Sequence, residues 1–163
     1  MATKPDAHSP RYRAVLQLLQ TADTLWNASR VFFEPWELSP SQFNLLNLLH
    51  LHPDGLSQSE LSRCLIVHRS NLTGLVDRLE QRGLVERQEV AEDRRAYRVV
   101  LTKAGARLVH EILPAYYAGA EAVLADVSDR RAEELAKELA QVSENARRTA
   151  AELVPKRLEK TPA

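Results

Sequence analysis

Residues 56–105 read LSQSELSRCLIVHRSNLTGLVDRLEQRGLVERQEVAEDRRAYRVVLTKAG, and the punctuation of this stretch decides the fold. Leu56-Ser57-Gln58-Ser59-Glu60 is a capping box with Leu56 placed as a staple, so a short helix opens here and runs to about Leu65. Ile66 and Val67 make a brief turn. From His68 to Arg82, the residues Leu72, Leu75, Val76 and Leu79 recur at helical spacing and predict a longer helix with one apolar face. Gly83 falls where a helix end favours a left-handed residue. Leu84 to Val90 and Tyr97 to Leu101 then read as two strands, the second alternating Tyr97, Val99 and Leu101 with Arg98 and Val100. The link 91–96 is charged, contains no Gly and reads as an exposed hairpin tip. Short helix, turn, longer helix and two-stranded ribbon, in that order, predict a winged helix-turn-helix.

The flanks are helical and longer than such a module requires. Between Arg11 and Phe33, one apolar row is Tyr12, Val15, Leu16, Leu19, Ala22 and Trp26, and a second is Leu18, Leu25 and Phe32. So wide an apolar arc implies more than one partner surface. Pro35 ends it. Ser39-Pro40-Ser41-Gln42 is another helix start, followed by Phe43, Leu45, Leu46, Leu48 and Leu49 up to His50, and Pro53-Asp54-Gly55 is a turn. Thr102 caps a helix from Lys103 to about Asp126, which Pro114 kinks or splits. Ser128 caps a last helix, 129–153, with the row Ala132, Leu135, Ala136, Leu139, Val142, Ala146, Ala150 and Leu153. The expected fold is mainly α with a small β-wing: a winged helix-turn-helix core flanked by N- and C-terminal dimerisation helices. The two-row first helix and the long last row are too apolar to stand alone, which points to a homodimer.

Composition narrows the function. The chain has 163 residues, 44% of them apolar and 27% charged, as in an ordinary soluble domain. One Cys excludes a disulfide-stapled scaffold. No apolar run is long enough to span a membrane, and residues 1–10 are too polar for a signal peptide, so the expected place is the cytoplasm. Net charge is zero, which excludes a globally basic nucleic-acid binder. The charge is unevenly placed, however: residues 61–103 carry nine basic and six acidic side chains, and eight of the nine are Arg. Arg matches phosphates and guanine edges with a rigid fork.

Projected at 100° per residue, the helix after His68 places Ser70, Gly74, Asp77 and Gln81 opposite its apolar face, with Asn71, Thr73 and Arg78 on the shoulders. Small side chains at Ser70, Thr73 and Gly74 let a backbone approach base edges. Asn71 suits a bidentate adenine contact, Thr73 a thymine methyl, and Arg69 in the first turn a phosphate. Asp77 repels phosphate and is expected either deeper along the groove or orienting Arg78. On the ribbon, Asp93 can hold one guanidinium of Arg94 or Arg95 for insertion into a narrow minor groove. A helix for one groove and an arginine ribbon for the next together point to double-stranded DNA. A solvated amphipathic helix is the plain alternative for either part taken singly.

The run at 56–105 resembles the winged-helix core of the multiple antibiotic resistance regulator (MarR) family, through NLTGLVDRLEQRGLV at 71–85, the D-x-R of Asp93 and Arg95, and LTKAG at 101–105. The resemblance implies a single domain over 1–163, with 11–34 and 103–154 as dimerisation helices around a 39–102 core. It also implies a homodimeric transcriptional regulator of a pseudopalindromic operator, most often a repressor released by a small aromatic or phenolic effector. By position, His68, Arg69, Ser70, Asn71, Thr73, Gly74 and Arg78 fall on the reading helix, and Asp93, Arg94 and Arg95 on the wing. His68 departs from the Ser or Thr usual at that helix start.

Other residues are weaker pointers. Trp26, Arg30, Phe33, His50 and Tyr116 are candidate walls of an effector pocket, or plain core. Cys64 is either a small core residue or an oxidant-sensing thiol. Cys64 with His68, and His50 with His52, lack a third ligand, so no metal is expected. Nor is a cofactor or a catalytic residue: there is no G-x-S-x-G, phosphate-cradling Gly run or H-E-x-x-H. A winged-helix protein-interaction module without DNA binding is the alternative of a different class.

Overall fold

The computed structural model describes residues 9–65, 69–90 and 93–153. Two compact units meet in sequence between Leu113 and Pro114. The first holds the helix-turn-helix and the sheet, and its core sits beneath them.

Ser9 opens α1 (Pro10–Phe33): its hydroxyl accepts from the Tyr12 amide at 3.1 Å, and Pro10 needs no amide partner there. Pro35 does not simply end this helix. It starts a 3-10 turn, Glu34–Trp36, that closes on Glu37 in a left-handed conformation (φ 52°). α2 (Pro40–His50) begins with the expected capping box, Ser39 and Gln42 bonding each other's backbone amides. Phe43, Leu45, Leu46 and Leu49 of α2 are buried.

Leu56–Ser57 forms a two-residue strand, β1, that pattern alone did not reveal. A strand this short carries no periodicity; its pairing to a distant strand creates it. α3 (Gln58–Cys64) follows on the second capping box, Ser57 with Glu60. Within α3 and its cap, Leu61 and Leu65 point inward and Cys64 is exposed, so the reading of Cys64 as a core residue is overturned: it lies off the i, i+4 buried row. α4 (Arg69–Gln81) buries Leu72, Leu75, Val76 and Leu79, the face its spacing predicted. It stops at Gly83 (φ 67°), where the Gly83 amide bonds Glu80 O at 2.8 Å and the Leu84 amide bonds Leu79 O at 3.0 Å, the double bond of a Schellman end.

β2 (Val85–Val90) and β3 (Asp93–Leu101) are antiparallel, and β1 adds to the far side of β3, giving the order β1-β3-β2. β3 starts at Asp93, four residues before the expected Tyr97. Asp93, Arg94 and Arg95 therefore stand on a strand and not in a six-residue loop. The reason is physical: 91–96 holds no Gly, Pro or Asn to break the ladder, and backbone pairing needs no apolar side chain. The ladder continues to the Val90–Asp93 pair, with an irregularity between Glu89 and Val90.

Thr102 caps α5 (Lys103–Val123) by accepting from the Gly105 amide at 3.0 Å, and it donates to Gly83 O at 2.7 Å. A Cβ on Gly105 would stand 2.0 Å from Leu84 O, so the glycine of LTKAG is the residue that lets α5 meet the end of α4. α5 is a single element through Pro114, not two. In the second unit, α6 (Asp129–Leu153) follows, with the Ala132 amide bonded to Ser128 O. Leu135, Leu139 and Val142 of α6 are exposed.

Candidate nucleic-acid interface

α4 is held by its buried face and presents the opposite one. Asn71, Thr73, Arg78 and Gln81 are exposed, and Gly74 is half-buried. The Arg78 guanidinium folds back along the helix, 3.5 Å from where a Cβ on Gly74 would stand. Arg69 and Ser70 form the first turn of α4, while His68 lies outside the described residues. On the wing, the backbone of Asp93, Arg94 and Arg95 belongs to β3, and their side chains lie outside the described residues. The first unit thus carries both parts of the constellation, with α4 leading through one left-handed turn into the ribbon.

The wing is braced to α4 through Arg87 and Glu80, which the sequence did not single out, together with Asp77. Arg87 of β2 bonds Asp77 Oδ1 at 2.5 Å through Nη2 and bonds Glu80 through Nη1, while its own amide donates to Glu80 Oε1 at 3.1 Å. Its guanidinium lies over the Tyr97 ring, 5.4 Å from the centroid. Partial burial works against the Arg87 charge. Asp77, Tyr97 and Glu80 outweigh it and hold the pKa above its ordinary value. The partner of Asp77 is therefore Arg87, not Arg78. The charge of the Asp77 carboxylate on α4 is thereby balanced by a strand arginine.

A second tie crosses three elements. Tyr97 Oη donates to Gln58 Oε1 at 2.7 Å, and Gln58 Nε2 donates to Thr73 Oγ1 at 2.6 Å. Thr73 is thus oriented from α3, with its hydroxyl engaged. Arg98 of β3 donates to the carbonyls of Asp54 (3.0 Å) and Gly55 (2.6 Å), fastening the turn before β1. Arg82 donates to the carbonyls of Trp36 and Glu37. Of the arginines that made 61–103 basic, Arg82, Arg87 and Arg98 are committed to partners within the chain.

The candidate effector residues stand in different settings. Phe33 is core: it stacks on Phe43, with centroids 4.4 Å apart, and is 1% exposed. His50 faces His110 edge-on at 4.9 Å. Trp26 is exposed on α1, and Tyr116 belongs to the second unit. Arg30 alone lines the open cleft of about 650 Å³ beside the α1–α2 elbow, with Asn27, Glu34, Glu37, Leu38 and Pro40. No helix among the described residues is long and apolar enough to cross a membrane.

Comparison with known proteins agrees with this geometry. Residues 36–96 match the model of the MarR family. AbsC, a MarR family transcriptional regulator from Streptomyces coelicolor, superposes with a TM-score of 0.76 at 22% identity, over 89% of this chain and 99% of that one. MepR from S. aureus, solved as a complex with DNA, gives 0.72 at 19% identity over 82% and 97%. A probable transcriptional regulator from Pseudomonas aeruginosa gives 0.66 at 26% identity over 77% and 93%. Residues 36–96 thus carry the sequence pattern of the MarR family, and the chain has the winged-helix fold of the transcriptional regulators it superposes on.

Proposed function

We propose that the chain is a homodimeric, sequence-specific DNA-binding transcriptional regulator acting as a single-domain subunit. α4 enters the major groove with Arg69, Ser70, Asn71, Thr73, Gly74 and Arg78, and the wing follows the adjacent minor groove with Arg95, flanked by Asp93 and Arg94. His68 meets a phosphate at the helix start. The observation that carries this reading is the outer face of α4: a small, polar strip on a helix whose opposite side is wholly buried, joined to an arginine-bearing ribbon. MepR, of the same fold, is known in a complex with DNA.

The dimer reading rests on α1. Of its 24 residues only Phe33 is buried, while Tyr12, Val15, Leu16, Leu19 and Leu25 are exposed. Two-fold pairing covers such a row and sets two reading helices on half-sites about 34 Å apart. For the effector, a small aromatic or phenolic molecule whose binding releases the repressor from DNA, the open cleft at Arg30 is the place. It shares Glu34, Glu37 and Leu38 with the elbow between α1 and α2.

Selection of bound duplexes from a random pool tests the reading. The expected outcome is a pseudopalindrome whose two halves are separated by one helical turn. Binding should fall steeply between about 50 and 200 mM salt as counterions are released. A protein that ignores every duplex at low salt would instead be an interaction module for other proteins.

A further inference from the structure

We propose that Arg82 is a positioning residue: it clamps the C-terminal end of α4 to the α1–α2 elbow and so fixes the spacing of reading helices that the dimer accepts. The inference rests on the DNA-binding reading for its biological meaning, though its geometry stands alone.

The elbow is a Schellman end built without glycine. The Glu37 amide bonds Glu34 O at 2.9 Å, the Leu38 amide bonds Phe33 O at 3.3 Å, and Glu37 itself is left-handed. The last carbonyls of a helix have no partner within it. Here those of Trp36 and Glu37 accept the two arms of one fork: Arg82 Nη2 to Trp36 O at 3.1 Å, and Arg82 Nη1 to Glu37 O at 2.7 Å. Positive charge at a helix C-terminus is favourable in any case. The other end of the Arg82 side chain is anchored too, since the next residue is Gly83, the left-handed stop of α4. Arg82 thus joins two helix ends of the same kind, 45 residues apart in the chain.

The elbow is also tied from a third side. Trp36 Nε1 donates to Glu111 Oε1 of α5 at 2.7 Å. α1, α4 and α5 therefore share one node. On one side of it lies the exposed apolar row of α1; on the other lies the reading face of α4. At 1.5 Å rise per residue, Asn71 sits about 16 Å up the helix from Arg82, so a tilt of about 5° at the clamp moves it by about 1.4 Å. That displacement exceeds what a bidentate base contact tolerates. The fork is already committed to carbonyls, so Arg82 acts on the spacing without touching phosphate.

The test uses the full chain with Arg82→Ala and Arg82→Lys. Affinity is read for the selected duplex and for duplexes whose half-sites are one base pair closer or farther, together with the salt slope. In parallel, a spin label on α4 (Gln81→Cys in a Cys64→Ser background) reports the distance between the two reading helices of the free dimer. The expected result is an approximately tenfold loss at the selected spacing with little change at the others, an unchanged salt slope, and a broadened label distance. Lys cannot span two carbonyls and should fall between wild type and Ala. A salt slope lower by about one would make Arg82 a phosphate contact and overturn the clamp. Equal loss at every spacing would reduce it to a general stabiliser and overturn it as well. If Arg82→Ala does not fold, Trp36→Phe removes the second tether and carries the same readout. Should wild type bind no duplex, the DNA reading falls, and an undisturbed label distance in Arg82→Ala then overturns the clamp separately.

Discussion

α1 and α4 are both long helices with a regular apolar row, and the chain treats them in opposite ways. α4 turns Leu72, Leu75, Val76 and Leu79 inward against α2, α3 and β2, so its position is fixed within one copy of the chain. α1 contacts α2 and buries Phe33 at its end, while Leu19 at mid-row is 64% exposed. The same periodicity therefore serves two purposes. Spacing tells which residues share a face; it does not tell whether that face is covered by the same molecule. An exposed row of this length is unfavourable in water and calls for a partner, whereas the exposed face of α4 is polar and stable without one.

The largest expected effects separate these two helices. Leu79, fully buried, should lose about 2–5 kcal/mol of folding stability when replaced by Ala, because a cavity is left behind. Denaturant melts read this directly. Leu19→Glu should change the stability of a dilute monomer by no more than about 0.5 kcal/mol, as surface substitutions do. Sedimentation should nonetheless show the dimer lost at micromolar concentration. If Leu19→Glu melted the protein as Leu79→Ala does, the distinction between the two helices would collapse.

The outer face of α4 and the wing can be told apart as well. Asn71→Ala should weaken binding to the selected duplex by about 1–3 kcal/mol and relax preference at one position, while leaving random-sequence binding alone. Arg95→Ala should weaken every duplex and lower the salt slope by about one. An Asn71→Ala loss of the same size on random DNA would remove it from base reading.

Much of this was legible in the sequence, because it depends on neighbours close in the chain. Both capping boxes, the Gly83 stop and the buried row of α4 are local patterns. What escaped depends on backbone pairing, which side-chain pattern does not record. β1 exists because Leu56 meets Val99 across the sheet, and β3 extends to Asp93 because the backbone of Val90 is opposite it. The arginines mislead in a similar way. In sequence, Arg82, Arg87 and Arg98 add to a basic segment. In the fold they meet carbonyls and carboxylates from residues 36–37, 77–80 and 54–55. Charge counting cannot separate a cation that faces a ligand from one that closes a turn.

The ends of the two helices extend the comparison at smaller scale. Both stop on a left-handed residue, Gly83 after α4 and Glu37 after α1 and its 3-10 turn. A Cβ at Gly83 meets nothing within 4 Å, so Gly83→Ala should cost only the conformational penalty, about 1–2 kcal/mol. Glu37→Gly relieves the corresponding strain but adds freedom to the unfolded chain, so a net gain of about 0.5 kcal/mol is expected. Thermal melts of the pair should shift in opposite directions. A loss of stability in Glu37→Gly would mean that its side chain holds the elbow more firmly than its backbone resists it.

The smallest effect lies beneath the two helices, in the capping boxes of the elements that carry them. α1 rests on α2, whose box is closed by the neutral Gln42; α4 rests on α3, whose box is closed by Glu60. Bonds from the Ser57 amide and hydroxyl to Glu60 lower its pKa below the usual carboxylate value; burial opposes this, and Arg98 and Arg63 add lesser lowering effects. A lowered folded value means the unfolded state takes up protons first. The contribution of this box is therefore complete above the ordinary carboxylate pKa and is lost as pH falls through the lowered folded one. Protection of the Ser57 amide, taken relative to its intrinsic exchange rate at each pH, should fall over that acid window, while Ser39, held by Gln42, keeps its protection. Glu60→Gln should abolish the difference between the two boxes; if it persisted, the acid sensitivity of α3 would have to come from elsewhere than its cap.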